Sequence, residues 1–200
     1  MTKRQLLAQE TRRKLIEATR AIVRTRGLAK TTVDEICASC GVAKGTFYIY
    51  FRKKEDVLNE VICREAFKEL LRNAKEKSGT FLERLTFYMH GFSRIIEDSG
   101  LKLCQEWVRN TATPDFARNS AGVDKLRLDC ALTRELFADA AARGEIRSDA
   151  PLEALSSMIV DLLYGQMLCW ATSNGTRAYS ENTREFCNVF LESILAPWLA

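Results

Sequence analysis

Several features are scarce in this chain of 200 residues, and their scarcity narrows what the protein can be. There is one histidine, His90, together with 3 prolines and 10 glycines. A single histidine cannot form a paired-histidine metal motif, and the sequence has neither a phosphate-binding glycine loop nor a nucleophile elbow. We therefore predict a protein that is not an enzyme, and catalysis is kept as the first alternative.

Long apolar runs are also missing. The longest uncharged apolar stretch spans residues 162–171, well short of the roughly 18 residues needed to cross a bilayer. Near the N-terminus, Leu6, Leu7 and Ala8 are followed by charged residues, so the apolar core of a signal peptide is absent. We expect a cytoplasmic protein with no membrane partner, in which residues 162–171 belong to a buried helix.

The cysteines do not suggest a disulfide framework. They number seven, and they are scattered through apolar segments, which is typical of reduced core residues. Cys37 and Cys40 form a CxxC pair, but without a second pair a four-ligand zinc site lacks partners. We expect both to fill small buried positions on one side of a short helix, with zinc or redox chemistry as the alternative. No metal and no cofactor is predicted.

Positive charge is concentrated at one end of an otherwise ordinary globular composition, with 46% hydrophobic and 28% charged residues. Residues 1–60 contain 13 Lys and Arg against 7 Asp and Glu, whereas the remainder contains 17 against 19. This asymmetry suits contact between the N-terminal segment and a polyanion, although a solvated helix face produces the same pattern.

Helical periodicity covers the chain after residue 11, with no sustained alternation of the kind that marks strands. The sequence therefore predicts an all-α fold. The predicted helices span about residues 11–26, 33–40, 43–51, 55–77, 80–99, 101–110, 123–143, 151–173 and 180–195, with Pro114 as an interruption.

The strongest local pattern is TTVDEICASCGVAKGTFYIYFRKKEDVL at residues 31–58. Thr32 and Glu35 have the spacing of a capping box, which predicts that a helix begins there. Gly41 is the residue best able to leave that helix with a positive φ. The pattern therefore predicts a short helix that ends at a tight glycine turn.

A second short helix is predicted immediately after this turn, over residues 43–51. Phe47 and Phe51 lie four residues apart, so they share one face and are expected to be buried. Lys44 and Tyr48 then face outward. Two short helices around a glycine turn are typical of a helix-turn-helix DNA reader.

With these helices in this order, the chain resembles the TetR family of bacterial transcriptional regulators. The resemblance covers about a quarter of the sequence, and the remainder is similar to the family only in helix order. The matching positions are Thr32, Val33, Ile36, Gly41, Val42, Gly45, Thr46, Phe47, Tyr48, Tyr50, Phe51, Lys54, Glu55 and Leu58.

Three positions depart from the family pattern. Cys37 and Cys40 stand where alanine is common, and Ala43 stands where a serine often caps the recognition helix. Loss of such a cap typically costs about 1 kcal/mol. Because a phosphate contact is also lost with the serine, we expect DNA binding that is weakened but not abolished.

The resemblance implies that residues 43–51 form the recognition helix, which enters the major groove of double-stranded DNA. Lys44 is the expected base-edge reader, donating to guanine O6 and N7. Thr46 offers its methyl group to thymine or its hydroxyl to a phosphate. Gly45 allows the backbone to come close to the DNA.

The remaining implied contacts are to phosphates, and they position the reader without selecting a sequence. Tyr48 and Tyr50 are expected to hold phosphates from the recognition helix. Thr32 and Lys54 each begin a predicted helix, where free amides and positive potential favour an anion. Both are therefore expected to clamp the DNA backbone.

The resemblance also implies two domains: a helix-turn-helix DNA-binding domain of three helices at residues 1–54, and a six-helix effector-binding and dimerisation domain at residues 55–200. Large apolar and sulfur-containing side chains are candidates for lining a pocket that takes an unknown small-molecule effector, with plain core packing as the alternative. The candidates are Tyr88, Met89, Phe92, Cys104, Trp107, Met167 and Trp170.

The last two predicted helices are apolar over more of their circumference than a surface helix needs. We expect a homodimer through them, although the core of the same chain is an alternative use for these faces. The residues concerned are Met158, Ile159, Leu162, Leu163, Phe186, Val189, Phe190 and Ile194.

The functional prediction is a homodimeric repressor that binds a near-palindromic operator and is released by a small-molecule effector. Activation instead of repression is an alternative. A purely structural helical module is another alternative. It differs from the repressor in that residues 1–60 would not bind duplex DNA with steep salt dependence.

Overall fold

The computed structural model describes residues 2–28, 30–54, 56–57, 64–111 and 121–200. Within these ranges the only β pairing is an isolated bridge between Ile146 and Leu199, and the predicted all-α fold is confirmed. The helices are α1 (Lys3–Arg26), α2 (Val33–Cys40), α3 (Lys44–Tyr50), α4 (Arg64–Glu76), α5 (Phe81–Ser99), α6 (Leu101–Thr111), α7 (Ala121–Ala142), α8 (Leu152–Thr172) and α9 (Tyr179–Phe186).

The first helix begins earlier than the apolar pattern predicts. α1 starts at Lys3, so the expectation of a start near residue 11 was wrong. Thr2 caps this helix, because its Oγ1 accepts from the amide of Gln5 at 3.3 Å while Gln5 Oε1 accepts from the amide of Thr2 at 2.7 Å. Leu6 in the first turns is exposed. The segment therefore has a cap but no buried stripe, which is why periodicity missed it.

The last predicted helix is interrupted rather than continuous. After α9, a π-helical turn at Cys187–Leu191 leads into α10 (Glu192–Leu195) and a 3-10 turn at Ala196–Trp198. The π-helical turn widens the helix locally, whereas the 3-10 turn tightens it. Thr183, Cys187, Leu191 and Leu195 are buried at a regular spacing of four residues, so the sequence pattern reads as one continuous helix.

Some predictions fall on residues outside the described ranges. They are Glu55 and Leu58 of the motif, most of the first turns of the helix predicted over residues 55–77, and Pro114.

The described residues divide into two compact units. The first unit consists of those within residues 1–63 and 99–122, and the second unit of those within 64–98 and 123–200. α6 therefore belongs to the first unit, although the sequence placed it with the effector domain. The division predicted at residues 54 and 55 stays a prediction.

In the first unit, α1 packs against α2 and α6, and α2 packs against α3. The α1 side chains Leu15 and Val23 are fully buried, as are Ile36 of α2 and Phe47 of α3. Residues of each helix thus share one apolar core, and burying four such side chains contributes roughly 1.5–3 kcal/mol each. This core holds α3 at a defined angle to α2.

The second unit has a separate core, in which a buried arginine is paired with a glutamate. Phe81 and Phe137 meet edge to face with ring centroids 4.9 Å apart. Arg84 is buried, and its Nη1 donates to the carbonyl of Gly79 at 2.9 Å and to Glu145 at 3.0 Å. The buried guanidinium is therefore paired, as a charge in a low-dielectric interior requires.

α8 is long and apolar enough to cross a membrane by length and composition. A core helix of a soluble protein passes the same test. Leu155, Ile159 and Leu163 of α8 are buried within the second unit.

Candidate nucleic-acid interface

The start of α2 is fixed by reciprocal hydrogen bonds, as the capping-box pattern predicts. Thr32 Oγ1 accepts from the amide of Glu35 at 3.2 Å, and Glu35 Oε2 accepts from the amide of Thr32 at 2.8 Å. These bonds hold the pKa of Glu35 below its usual value, with a smaller contribution from Arg26, whose guanidinium lies 2.9 Å from Glu35 Oε1. Thr32 stays exposed at the helix start.

The turn between α2 and α3 has the predicted left-handed glycine. Gly41 has φ 67° and ψ 31°, a conformation that costs other residues about 1–2 kcal/mol. The amide of Val42 then donates to the carbonyl of Cys37 at 3.0 Å. This geometry turns the chain sharply, so that α3 begins only three residues after Gly41.

Cys37 and Cys40 lie on α2 as small side chains. Cys37 is buried and Cys40 is half-buried, and the thiol of Cys40 donates to the carbonyl of Ile36 at 3.3 Å. Burial raises the pKa of the Cys37 thiol, so it stays protonated at neutral pH. All six cysteines among the described residues are free thiols.

One face of α3 is anchored in the core of the first unit. Phe47 and Phe51 are both buried, with ring centroids 5.5 Å apart, as their spacing predicts. The guanidinium of Arg12 from α1 lies 5.6 Å from the centre of the Phe51 ring. Ala43 caps α3 only through its backbone carbonyl, because its side chain has no acceptor.

The opposite face of α3 is open to solvent. Lys44, Gly45 and Tyr48 are exposed, whereas Thr46 and Tyr50 are half-buried. Ile49 is 76% exposed, and it was not among the residues that the sequence offered as DNA contacts. An apolar side chain on a major-groove face can contact a thymine methyl group, so Ile49 joins the candidates.

Lys44 is held in place by an acidic residue of the neighbouring helix. Its Nζ lies 2.9 Å from Asp34 Oδ2, and both side chains are more than half exposed. The bond from Lys44 to Asp34 raises the pKa of Lys44, so the ammonium is fully charged at neutral pH. An exposed pair of this kind is worth only about 0–1 kcal/mol, and DNA can compete for the lysine.

Lys54 has a structural task that its place in the motif does not reveal. Its Nζ donates to the carbonyls of Leu28 and Thr31, each at 2.9 Å. These bonds tie the residues just before Thr32 to the segment that follows α3. A phosphate contact by Lys54 would use the remaining N–H, and that role stays a prediction.

Gly45 is a glycine without a structural reason within the chain. Its φ is not in the positive range, and a Cβ atom there would meet nothing within 4 Å among the neighbouring described elements. Glycine inside a helix costs roughly 0.5–1 kcal/mol relative to alanine. The protein therefore tolerates a loss of stability at a position where the backbone of α3 could approach DNA closely.

The seven pocket candidates are all buried, but the structure does not gather them into one unit. Cys104 and Trp107 belong to the first unit, whereas the other five belong to the second unit. Within the second unit, Phe92 and Trp170 contact other rings. The ring centroids of Phe92 and Phe67 are 4.7 Å apart, and those of the stacked Trp170 and Tyr179 are 6.2 Å apart. Contact of any of them with an effector stays a prediction.

The class of DNA-binding protein follows from this geometry. A left-handed glycine turn joins α2 to α3, and α3 exposes a polar face, as in helix-turn-helix proteins. A family model described as "Bacterial regulatory proteins, tetR family" matches residues 15–61, which include α2 and α3. Residues 15–61 therefore match the DNA-binding region of the TetR family, and the chain is similar to DNA-binding transcriptional regulators of that family.

Relatives and solved structures extend this similarity beyond the reader. The chain is 25% identical to the HTH-type transcriptional regulator UidR of Escherichia coli, over 82% of this chain and 84% of the relative. A TetR regulatory protein from Rhodobacter sphaeroides is 28% identical, with a TM-score of 0.60 over 88% and 96% of the two chains. The Thermus thermophilus repressor FadR, solved with lauroyl-CoA, is 24% identical and shares the fold, with a TM-score of 0.74 over 92% and 95%.

Thr32→Val is expected to weaken binding to all DNA sequences alike, because Thr32 is predicted to hold a phosphate and not a base. The same change removes a helix cap, at a cost of about 1 kcal/mol in stability. Thr80→Val is the matched control, since Thr80 and Glu83 make the same reciprocal bonds in the second unit. Binding isotherms on several duplexes check both variants. A loss confined to one sequence, or an equal loss in the control, would contradict the assignment.

Proposed function

We propose that this protein is a cytoplasmic, homodimeric transcriptional repressor. It binds a near-palindromic operator and leaves it when a small organic effector binds. The observation that carries the DNA-binding part is the exposed face of α3, with Lys44 and Gly45 outward and Phe47 buried. Lys44 reads a base edge, Thr46 contacts a thymine methyl group or a phosphate, and Ile49 makes an apolar contact. Thr32, Tyr48, Tyr50 and Lys54 hold phosphates.

The proposed dimer is supported by an apolar face near the C-terminus of the second unit. Val189 is 62% exposed and Phe190 is 55% exposed, and Met158 and Ile194 are also exposed. Of the apolar residues predicted there, Ile159 and Leu163 are instead buried in the unit's own core. The exposed subset is what a partner copy would cover, because monomers rarely leave such patches open.

A groove on this face has the composition of a protein interface. It has a volume of about 500 Å³, and Leu162, Phe186, Val189 and Phe190 contribute apolar walls. Arg177 and Glu185, which form an ion pair, also line it. Apolar walls with charged residues beside them match the core and rim of typical interfaces. A second copy related by a two-fold axis would place the same residues on both sides.

Lys44→Ala is expected to relax the preference at one base position of each half-site, by about 1–3 kcal/mol. The reason is that the ammonium donates to a base edge, so its loss removes discrimination and not general affinity. Affinities for half-sites mutated one position at a time measure this change. Uniform weakening across all sequences would show that Lys44 contacts phosphate instead.

Effector release is the regulatory part of the proposal. An effector that favours one arrangement of the dimer changes the spacing of the recognition helices, with a coupling free energy of about 1–3 kcal/mol. The Thermus relative binds lauroyl-CoA, so acyl-CoA thioesters belong in the panel of compounds. Mobility-shift titrations with a broad panel of metabolites and drugs test the idea. Failure of every compound to release the operator counts against it.

The direction of regulation needs its own readout. A reporter placed behind the operator should be silenced by the protein and relieved by the effector. A reporter that requires the protein for expression would instead identify an activator.

A further inference from the structure

A buried charged pair lies in the core of the second unit. Lys125 and Asp129 of α7 are 5% and 0% exposed, and Lys125 Nζ lies 2.5 Å from Asp129 Oδ2. The hydroxyl of Tyr164 on α8 donates to the same oxygen at 2.7 Å. Charges are rarely buried this deeply without a specific role or excellent pairing.

Three aromatic rings surround the ammonium of this pair. Lys125 Nζ lies 4.6 Å from the ring centre of Phe67, 5.4 Å from that of Phe92 and 5.7 Å from that of Tyr164. We call these three rings with Asp129 the Lys125 cage. Aromatic faces around a positive charge, with a carboxylate beside them, are the arrangement by which proteins recognise organic ammonium groups. Here the cation is the chain's own lysine.

One acceptor of the cage is unused. Asp129 Oδ1 is buried and has no hydrogen-bond partner among the described residues, although Oδ2 accepts twice. The nearby hydroxyl of Thr133 donates to the backbone carbonyl of Asp129 at 2.8 Å, and not to this oxygen. Buried carboxylate oxygens are almost always bonded in folded proteins. Oδ1 therefore has the capacity to accept a further hydrogen bond.

We propose that the Lys125 cage is the site at which the effector's charge is recognised, and that the effector is a protonated organic amine. Its ammonium takes the place of the Lys125 ammonium among the rings and donates to both oxygens of Asp129. The flexible stem of Lys125 lets its own ammonium withdraw. This inference rests on the proposed effector response, and it names the chemical class that such a response would detect.

Charge balance decides between classes of ligand. With Lys125 withdrawn, Asp129 leaves the cage negatively charged, and one ammonium group restores neutrality. An anion placed beside Asp129 would meet a like charge in a low-dielectric environment, where repulsion is strong. A neutral alcohol could bond to Oδ1, but it would leave the carboxylate without a counter-charge. The cage therefore selects cations.

Lys125 acts in this scheme as an internal competitor. Lys125→Met removes its charge while retaining an apolar stem, so added benzylammonium should bind at least about tenfold tighter than in the unaltered chain. It should also raise the thermal midpoint of the variant, since ligands that bind only the folded state stabilise it. Asp129→Asn should abolish both effects.

The test is thermal unfolding of the full chain and its variants at constant ionic strength, with benzylammonium, benzyl alcohol and benzoate as matched cationic, neutral and anionic probes. A shift given by benzylammonium alone, larger in Lys125→Met and absent in Asp129→Asn, supports the cage. Equal shifts with benzyl alcohol or benzoate, or no shift at all, overturn it. If Lys125→Met does not fold, calorimetry on the unaltered chain with the three probes decides by the same criteria.

Operator release separates this inference from the proposed function. Amine binding to the cage without any release of DNA keeps the cage as a cation site and overturns its role as the effector site. Release by a non-cationic compound, with no amine binding, overturns the cage while leaving the repressor intact.

Discussion

Phe190→Asp is expected to convert the dimer into a monomer and to lower operator affinity by about 100-fold or more. Phe190 is 55% exposed and its ring lies 5.8 Å from that of Phe186 in the proposed interface. A carboxylate there is solvated in the monomer, but it would be buried twice, once from each copy, in a symmetric dimer. Losing the second half-site removes an avidity gain of about 10²–10⁴.

Sedimentation or light scattering gives the oligomeric state, and titration of a two-half-site duplex gives the affinity. Phe87→Asp is the control, because Phe87 is an exposed phenylalanine of the same unit that lies on α5, outside the proposed interface. It should leave the dimer intact. A dimeric Phe190→Asp variant with unchanged operator affinity would move the interface elsewhere.

Gly45→Val is expected to reduce operator affinity by about 2–6 kcal/mol while the protein stays folded. A side chain at this position meets open space within the chain, so the fold tolerates it. On DNA it would stand between the helix and the groove floor. A mismatched contact typically costs about 1–3 kcal/mol, and a symmetric dimer suffers it at both half-sites.

Gly45→Ala is a milder substitution that is expected to change stability and DNA affinity in opposite directions. It should raise the free energy of unfolding by roughly 0.5–1 kcal/mol, while weakening DNA binding less than valine does. Chemical unfolding and binding titrations at one fixed salt concentration measure the two effects, because DNA affinity depends steeply on salt. If both variants bind DNA as tightly as the unaltered chain, Gly45 does not face the groove.

The reader was predictable from sequence because each of its signals is local. The Thr32 and Glu35 spacing gave the start of α2, Gly41 gave its end, and the Phe47 and Phe51 spacing gave the buried side of α3. Each signal depends on a few neighbouring residues whose steric and hydrogen-bonding needs are the same in any protein.

The features that sequence missed depend on distant residues. The two carbonyls that Lys54 binds lie more than 20 residues away, and the exposure of Ile49 follows from how α3 is seated. Likewise, only the fold places rings from α4, α5 and α8 around the charge of Lys125. Contacts between residues that are distant in the sequence do not show in its hydrophobic periodicity.

The central claim is that this chain reads DNA as a symmetric dimer through α3, and selection of bound sequences from random duplex DNA by the purified protein tests it most directly. We expect enrichment of a near-palindrome whose half-sites lie about one helical turn apart. With the Lys44→Ala variant, the sequence preference at one base position in each half-site should disappear. Enrichment of a single unpaired half-site, or no enrichment at all, would contradict the account.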